Sequence, residues 1–387
     1  LPEYTDLKFP GNSIIVTNSY YLSASHAYVA VTNDLNQDQR MHRICNTIHR
    51  AGFQVTLIGR RKSNSDSLYD HSFAQHRLSM FFQSGVLFYL EYQIRLFFYL
   101  LFRSKPAIMY SVDLDTALPV MLASVLRGSK TIHDAHELFT EVPELLKSPS
   151  KRWIWQNIGK MTLKGFDYRI TVNNSLAMIL GDTYRCAFMP IRNLPIVKEL
   201  STVKLEFQRP YIWYQGVLNQ GRGLEEMITA MTFLPNFDLR IAGEGDRSLT
   251  LRHLAEKSKA KDRIHFHGWM HPSDMHSWAS NAWLGINLLD GSAGNYYYSL
   301  ANRTFDYVQA ELPALHMDFP EYRTVIEQYG VGELLTDLNS DCIVCTIQNL
   351  MADTFKYNQY RNACKKAKEE LTWKYESEKI MDVLNTL

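Results

Sequence analysis

Short apolar runs alternate with amphipathic stretches along the chain. The run AYVAVT at Ala27–Thr32 predicts a strand, and a helix follows, since four apolar residues then fall on one helical face: Met41, Ile44, Cys45 and Ile48. Gly52 fits the end of this helix. Such alternation of strands and helices predicts parallel sheets with crossover helices, and therefore an α/β fold.

The alternation falls into two series separated by an aperiodic segment. Further strands of the first series are predicted at residues 53–59, 107–112, 130–134 and 168–172. The second series has predicted strands at residues 211–216, 237–243, 263–268, 282–289 and 312–317. Residues 189–204 contain two prolines and lose the periodicity, which is typical of an inter-domain linker. We therefore predict two Rossmann-like domains, residues 1–195 and 196–370, facing each other across a cleft.

Charge and cysteine content limit the classes of partner. The chain has 41 Lys and Arg residues against 40 Asp and Glu residues, so no overall field attracts nucleic acid, and an anion site must be local. The five cysteines are scattered, which favours a reducing compartment over a secreted disulfide scaffold. Cys342 and Cys345 form a lone CxxC pair without a nearby His, so no metal site is predicted. The chain begins without a signal-like run, and a cytoplasmic location is expected.

A strand, a loop and a helix near the start of the second domain carry the first binding chemistry. Gly216 ends the apolar strand, a short loop presents Arg222 and Gly223, and an amphipathic helix begins there. A helix N-terminus attracts phosphate, and an arginine beside it can bind phosphate through two parallel hydrogen bonds. The alternative is that Arg222 is a solvated loop residue. Gly243 and Gly245, after the next strand, predict a tight turn near a nucleotide.

This segment resembles glycosyltransferase family 4, whose members have the GT-B fold. In that family a basic residue before a glycine holds the donor diphosphate, and Arg222 takes that position here. Many members also have an arginine directly after the strand-ending glycine. This chain has Val217 there, so that phosphate contact is missing or is supplied elsewhere. The resemblance covers nearly the whole chain and implies that residues 371–387 form a C-terminal helix crossing back to the first domain.

The stretch Leu300–Gly332 is similar to the part of family 4 in which two acidic residues lie eight positions apart. The second, seven residues before a proline, contacts the donor ribose in the family, and that position is Asp306 here. The first is Tyr298, so Tyr298, Ser299 or the adjacent backbone is expected to orient the donor sugar instead. Ser299 or Asn302 is a candidate cap for the helix of Asp306. The alternative role for Asp306 is a helix-start carboxylate stabilised by the helix dipole.

Polar residues follow several strand ends of the first domain, where ligands collect in open α/β sheets. The resemblance implies a cleft histidine near the donor sugar and the attacking hydroxyl, and we choose His136. His133 alternates into the sheet and is expected to be structural. The other acceptor-side candidates are Asp38, Arg40, Asp113, Asp115 and Glu137. The alternatives are an ion pair between Asp38 and Arg40 on the helix surface and a helix cap for Asp115.

The resemblance implies transfer of a sugar from a nucleoside-diphosphate sugar to a glycan, lipid-linked or small-molecule acceptor, as in polysaccharide biosynthesis. It also implies retention of anomeric configuration and no metal or other cofactor, since Arg222 and helix N-termini neutralise the leaving diphosphate. The implied catalytic residues are His136, Arg222 and Asp306, and the turn at Gly268 and Trp269 is expected to contact the nucleobase. The alternatives are a nucleotide-sugar epimerase or hydrolase on the same fold, and a degenerate GT-B protein that binds without turnover.

The segment Gly85–Phe102 is rich in large apolar residues. It contains Glu91 and Arg95, whose charges are costly in hydrocarbon, so a membrane-spanning helix is not expected. Two alternatives remain open. The segment is either a buried crossover helix or an interfacial helix that holds the protein at the inner face of the membrane, beside a lipid-linked acceptor.

Overall fold

The computed structural model describes residues 25–387 except 37, 64, 143, 144, 146, 198–204 and 206. The strands of its first half are β1 His26–Ala30, β2 Gln54–Arg60, β3 Ala74–Leu78, β4 Pro106–Val112, β5 Lys130–Ala135, β6 Tyr168–Thr171 and β7 Met189–Pro190. They form one parallel sheet in the order β3-β2-β1-β4-β5-β6-β7. Each predicted strand of the first series is present, within one or two residues at its ends.

Helices cover both faces of this sheet: α1 Gln39–Arg50, α2 Gly85–Phe102, α3 Asp113–Arg127, α4 Pro149–Thr162 and α5 Asn174–Tyr184. Helix α1 forms where the apolar spacing predicts it, and its four apolar side chains are buried against the sheet. Asp38 caps its N-terminus by accepting a hydrogen bond from the Met41 amide at 3.0 Å. Gly52 follows its last turn with a φ of 94°, a conformation that favours glycine.

The second half repeats the architecture. Its strands are β8 Tyr211–Gln215, β9 Asp238–Ala242, β10 Ile264–Gly268, β11 Leu284–Asn287, β12 Ala314–Met317 and β13 Gly332–Leu335. They are parallel in the order β10-β9-β8-β11-β12-β13. The helices are α6 Leu224–Ala230, α7 Ser248–Lys257, α8 Pro272–Asn281, α9 Gly294–Tyr297, α10 Asn302–Gln309, α11 Pro320–Tyr329, α12 Ser340–Ala352, α13 Thr354–Glu370 and α14 Trp373–Asn385. The predicted α/β fold with two parallel sheets is confirmed.

Three strands lie outside the sequence prediction. β3 reads AQHRL and lies at an edge of the sheet, and its polar residues give no apolar run in the sequence. β13 is only four residues long and lies at one edge of the second sheet, next to β12. β7 pairs with β6 inside the segment predicted as a linker, because Ile170 and Thr171 lie opposite Met189 and Pro190. The predicted linker therefore begins too early, and residues 198–204 of it lie outside the described chain.

The C-terminal helix α14 packs on α1 of the first domain. Trp373 is buried there, and its indole Nε1 donates a hydrogen bond to Thr47 Oγ1 at 3.1 Å. Buried Glu376 accepts from Arg192 Nε at 2.8 Å and so ties α14 to the chain that leaves the first sheet. The chain thus crosses from the second domain back to the first.

Helix α2 connects β3 to β4 as a crossover helix. Among the described helices, it is the one long and apolar enough, by length and composition, to cross a membrane. It packs against α3 and buries a single stripe of side chains: Phe88, Tyr92, Leu96 and Leu100. The segment is therefore a crossover helix, as one alternative expected, but most of its surface is not buried, with 22% of its residues inside the protein.

Replacement of Trp373 by Ala is expected to lower the free energy of unfolding by about 3–5 kcal/mol, the usual effect of removing a buried aromatic side chain. Thermal unfolding followed by circular dichroism measures the effect. Tyr375→Ala changes an exposed side chain on the same helix and is the matched control, with an expected change within about 0.5 kcal/mol. Equal melting temperatures for the two variants would contradict the docking of α14 on α1.

Candidate functional site

A cavity of about 990 Å³ lies between the carboxyl ends of the two sheets. This is the position where parallel α/β sheets bind ligands. Its first-domain wall includes Asn33, Asp38, Arg40, His136, Glu137 and Asn173. Its second-domain wall includes Gly216, Val217, Asn295, Ser299, Asn302 and Asp306. The structure thus brings candidate residues from both halves of the sequence to one cleft.

The buried carboxylate of Asp134 organises the first-domain wall. Arg40 donates to it from Nε and Nη2 at 3.0 and 2.9 Å, and Tyr110 Oη donates at 2.7 Å. His136 Nε2 lies 3.2 Å from the same carboxylate. Burial opposes ionisation of Asp134, but the charges of Arg40 and His136 outweigh burial and hold its pKa well below the usual range.

His136 carries a positive charge at neutral pH. Burial disfavours the imidazolium, but Asp134 outweighs burial and raises the pKa of His136 to about 9. The backbone amide of His136 donates to Asp113 Oδ1 at 2.8 Å, which fixes the start of the loop after β5. A protonated ring at the cavity wall can donate hydrogen bonds and stabilise negative charge, but it cannot act as a general base.

His133 is structural, as its position in the strand predicts. Its ring is fully buried next to Phe166, and Nδ1 lies 3.2 Å from Ser111 Oγ. Burial lowers its pKa to about 3, so the imidazole is neutral.

The surface ion pair considered for Asp38 and Arg40 is absent. Asp38 caps α1, and the buried guanidinium of Arg40 points instead to Asp134 and to the Ile191 carbonyl, 2.8 Å away. Both residues still contribute to the cavity wall. Their partners lie far apart in sequence, so spacing alone could not reveal these contacts.

Asp113 and Asp115 lie behind the main cavity wall. Burial raises the pKa of Asp113 to about 8 and that of Asp115 to about 6. Asp113 lines a smaller neighbouring cavity of about 230 Å³. Asp115 is not the N-cap of α3, because the helix already begins at Asp113, and it accepts a hydrogen bond from Thr32 Oγ1 at 2.5 Å. The expected capping role of Asp115 is therefore wrong.

Glycines hold the ends of three strands of the second domain close together. The Gly216 amide donates to the Ala242 carbonyl at 3.0 Å, and the Gly243 amide donates to the Gly268 carbonyl at 2.7 Å. A Cβ on Gly243 would overlap the Gly216 carbonyl, so the two loops need glycine here. A Cβ on Gly245 would likewise meet the backbone of Leu218. Of these glycines, Gly216 contributes to the described cavity wall.

Asp306 faces the cavity from the second turn of α10. It accepts a hydrogen bond from Gln215 Nε2 at 3.0 Å. Burial raises its pKa to about 6, and the opposing charge is Arg43 on α1 of the first domain. Because α10 begins at Asn302, Asp306 is not a helix-start residue, and the dipole interpretation is wrong. Its carboxylate is free to accept further hydrogen bonds from a ligand in the cleft.

The helix caps proposed for α10 are also wrong. Its N-cap is Ala301, without a side-chain hydrogen bond. Ser299 Oγ donates to the Tyr296 carbonyl at 2.8 Å, and Asn302 accepts from Asn193 Nδ2 at 3.0 Å. Ser299 and Asn302 instead form part of the cavity wall.

Arg222 and Gly223 lie at the end of the loop that begins at Gly216. The Arg222 guanidinium stacks over the Tyr296 ring, 4.8 Å from its centroid, and its buried Nε has no hydrogen-bond partner. Neither residue belongs to the described cavity wall, and neither do Gly268 and Trp269, whose indole is exposed. The structure therefore brings Gly216 and Asp306 together but leaves Arg222 beside the cavity.

Tyr298 faces the first domain and not the donor side. Its carbonyl accepts from Asn173 Nδ2 at 2.9 Å, and its ring packs on the apolar cluster that includes Leu176. Asn295 Nδ2 donates to Glu137 at 3.0 Å, across the cleft. The loop around Tyr298 is thus held to the first domain, and Tyr298 does not line the described cavity.

Sequence reasoning missed the residues that act across long separations: Arg43, Asn173, Asn193, Gln215, Asn295 and Arg303. One signal was available, since Arg40 and Arg43 lie one turn apart on a helix that faces the cleft. Arg43 is buried and donates to Asn193 at 2.6 Å, and burial lowers its pKa to about 10. Within the described residues, no three His, Cys, Asp or Glu side chains come together as a metal site.

The sequence and the fold are similar to those of known glycosyltransferases. The family model described as glycosyl transferases group 1 matches residues 198–370. Among curated proteins, none matches the chain in sequence. Sucrose-phosphate synthase from Thermosynechococcus elongatus is similar in structure, with a TM-score of 0.76 and 13% identity over 94% of this chain and 98% of that one.

Two further solved structures have the same architecture. HepE from Anabaena, in complex with UDP, gives a TM-score of 0.73 and 11% identity over 94% of this chain and 100% of that one. A putative UDP-N-acetylglucosamine 2-epimerase from Listeria monocytogenes gives 0.63 and 12% over 94% and 96%. The chain therefore has the GT-B fold, and its residues 198–370 match the glycosyl transferases group 1 family.

Proposed function

We propose that the protein is a retaining glycosyltransferase that moves a sugar from a nucleoside-diphosphate sugar to a glycan, lipid-linked or small-molecule acceptor. The main support for this proposal is the cavity between the two domains, with Asp306 and Gly216 on one wall and the charged His136 on the other. The group 1 match and the UDP bound by HepE support a nucleotide-sugar donor. The resemblance to family 4 supports retention.

The donor nucleotide is assigned to the second-domain wall. Asp306 suits the ribose, because a carboxylate can accept hydrogen bonds from two hydroxyls. The backbone at Gly216 and Val217 lines the adjoining space, where no side chain of residue 216 blocks the approach of a diphosphate. Arg222 remains a predicted phosphate ligand at the far end of this loop, and Trp269 a predicted neighbour of the base.

The transfer step is assigned to the space between His136 and the donor. The bond between the sugar C1 and the diphosphate oxygen breaks, a bond from C1 to the acceptor oxygen forms, and the leaving diphosphate takes the acceptor proton. Imidazolium at His136 stabilises the negative charge that develops on the leaving group. We propose that this charge, with Arg222 and the N-terminus of α10, makes a metal or other cofactor unnecessary.

The acceptor is assigned to the first-domain wall. Asp38, Arg40 and Glu137 contribute to that wall, but Arg40 and Glu137 already hold Asp134 and Asn295. Asp38 likewise accepts from the Met41 amide and from Asn33 Nδ2, so acceptor hydroxyls are assigned to the remaining lone pairs of these carboxylate oxygens. We propose a cytoplasmic location with peripheral contact to a membrane, and a role in polysaccharide biosynthesis.

Two other functions remain as alternatives. The epimerase from Listeria monocytogenes has the same fold, so epimerisation or hydrolysis of a nucleotide sugar is the first. The second is a degenerate GT-B protein that binds without turnover, which Val217 and the position of Tyr298 favour.

Incubation of the protein with a panel of nucleotide sugars is expected to release nucleoside diphosphate when an acceptor is present. His136→Ala should lower turnover about 100-fold, because a positioned charged group near the reacting atoms is lost. Its control is His253→Ala, which removes an exposed histidine of α7 and should leave turnover unchanged. Nucleoside diphosphate is measured by a coupled assay and the sugar product by mass spectrometry.

Each alternative gives a different result in the same assay. Diphosphate release that needs no acceptor indicates a hydrolase, and an altered sugar still attached to its nucleotide indicates an epimerase. Nucleotide binding without any product indicates a degenerate protein. Equal turnover of the wild type and His136→Ala would remove His136 from the transfer step.

Nucleoside-diphosphate affinity is expected to fall as the pH drops through about 6, because Asp306 then becomes protonated and loses its charged acceptor oxygens. Asp306→Asn should bind about 10-fold to 100-fold more weakly above that pH, the effect of one charge-assisted hydrogen bond. Calorimetry at about pH 5 and about pH 8 brackets the transition.

The control for this titration is Asp337→Asn, an exposed residue of the same domain. The ligand's own phosphate titration affects all three proteins equally and cancels in the comparison. A wild type and an Asp306→Asn variant with equal affinity at both pH values would contradict the ribose assignment.

A further inference from the structure

Three neighbouring helices of the first domain present a large apolar surface. α3 lies between α2 and α4 and contacts both, and the three share one apolar cluster beneath them. Six side chains define what we call the three-helix face, each between 49% and 76% exposed: Leu90, Phe98, Phe102, Val125, Trp153 and Met161. Large apolar side chains exposed on three neighbouring helices are a candidate interaction site.

The charges around the three-helix face are mainly positive, although Lys130 pairs with Asp167 and Arg152 pairs with Glu141. Residues 81–105, 116–130 and 149–164 contain nine Lys and Arg residues and a single acidic residue, although the whole chain has 41 basic against 40 acidic residues. That acidic residue, Glu91, is held by the backbone amides of Phe81 and Phe82 and by Arg95. Five of the basic residues are exposed and form no ion pair with a described carboxylate: Arg103, Lys105, Lys151, Lys160 and Lys164.

We infer that the three-helix face docks on a membrane that contains anionic lipids. Exposed Trp, Phe and Leu side chains suit the boundary between headgroups and acyl chains, and lysines beside them reach the lipid phosphates. A second copy of this chain fits less well, because pairing two such faces would bring like charges together. The Glu91 and Arg95 charges on α2 agree with a helix that lies on a bilayer without crossing it.

The inference is tested with the full chain and vesicles, without any nucleotide sugar. Wild-type protein should sediment with vesicles of phosphatidylcholine and phosphatidylglycerol, but not with phosphatidylcholine alone, and salt should weaken binding. Val125→Glu/Trp153→Glu and Lys160→Glu/Lys164→Glu should each bind roughly tenfold more weakly or worse. All four side chains are exposed, so the melting temperatures should stay at the wild-type value.

Leu249→Glu is the matched control, since this leucine is exposed on α7 of the second domain. It should bind vesicles as the wild type does. Failure of the wild type to bind anionic vesicles at low salt would overturn the inference. So would a wild-type dimer in analytical ultracentrifugation that Val125→Glu/Trp153→Glu converts to monomer, because the face would then be an interface between copies. Neither the vesicle result nor the dimer result would contradict the proposed glycosyltransferase function.

A separate observation concerns Arg303, a buried cation that forms no direct ion pair with a carboxylate of the described residues. Its side chain is 8% exposed, and its Nη1 has no hydrogen-bond partner. The guanidinium stacks over Tyr214, 4.5 Å from the ring centroid, and no carboxylate of the described chain forms an ion pair with it. A buried charge is unfavourable unless it is paired. Tyr214 and the charge of Asp306 favour the guanidinium, but its Nη1 still has the capacity to donate to an anion.

The location of Arg303 indicates which anion this is. Its Nη2 lies 3.2 Å from the point that a Cβ on Gly216 would occupy, directly behind the loop assigned to the donor diphosphate. Val217 follows Gly216, so residue 217 supplies no cation to that loop. We propose that Arg303, reaching Gly216 from α10, is the phosphate ligand that residue 217 does not provide. The proposal rests on the proposed nucleotide-sugar function.

Arg303→Met should weaken binding of UDP or GDP about 10-fold to 100-fold, since a charge-assisted contact to the diphosphate is lost. Affinity for uridine or guanosine, which lack phosphate, should not change. The melting temperature without ligand should stay equal or rise, because an unpaired buried charge has been removed. The double variant Arg303→Met/Val217→Arg should regain affinity for the diphosphate.

The outcomes separate this proposal from the proposed function. If the wild type binds none of UDP, GDP, ADP and dTDP, the nucleotide-sugar function itself is contradicted. If the wild type binds and Arg303→Met binds equally well with a lower melting temperature, Arg303 is a structural residue stacked on Tyr214. Calorimetry supplies the affinities, and circular dichroism the melting temperatures.

Discussion

The buried carboxylate of Asp134 is the constraint on which the first-domain half of the cleft depends. It joins α1 through Arg40, β4 through Tyr110 and the loop after β5 through His136. Removing one partner would leave a buried charge uncompensated, so the three elements are fixed relative to each other. Two cations on one carboxylate leave a net positive charge on the Asp134 cluster itself. The same contacts that stabilise the domain thus place a cation, His136, in a wall that also contains the carboxylates of Asp38 and Glu137.

Hydrogen bonds across the cleft position the second-domain wall of the cavity. The loop before α10 is held to the first domain by Asn295 and by the Tyr298 carbonyl, and the Ser175 amide donates to Glu321 at 2.7 Å. Asp306 then faces the cavity with a charge that Arg43 favours and burial disfavours. A ligand that donates hydroxyls to Asp306 replaces the water lost on burial. The residue assigned to the donor, Asp306, therefore lies close in sequence to Asn295 and Tyr298, which hold the two domains together.

Apolar pattern predicted the fold well because the strands and α1 are specified by residues close together in sequence. The resemblance to family 4 located Asp306, through its spacing from Pro313. Alternation along the strand predicted which side His133 takes. The pairing of Arg40 with Asp134 spans 94 positions, and no local spacing records it. Edge strand β3 was missed because its polar residues give no apolar run, and Arg77 is held instead by Asp34, 43 positions away. The linker start, the capping residues and the role of Tyr298 depended on tertiary contacts in the same way.

A crystal structure of the protein with bound UDP or GDP would show whether the cleft is the donor site. We expect ribose hydroxyls within hydrogen-bond distance of Asp306, the diphosphate along the backbone of Gly216 and Val217, and its outer phosphate facing His136. A nucleotide held away from this cavity, or one inside it with Asp306 and His136 out of contact, would contradict the assignment of the cleft as a donor site.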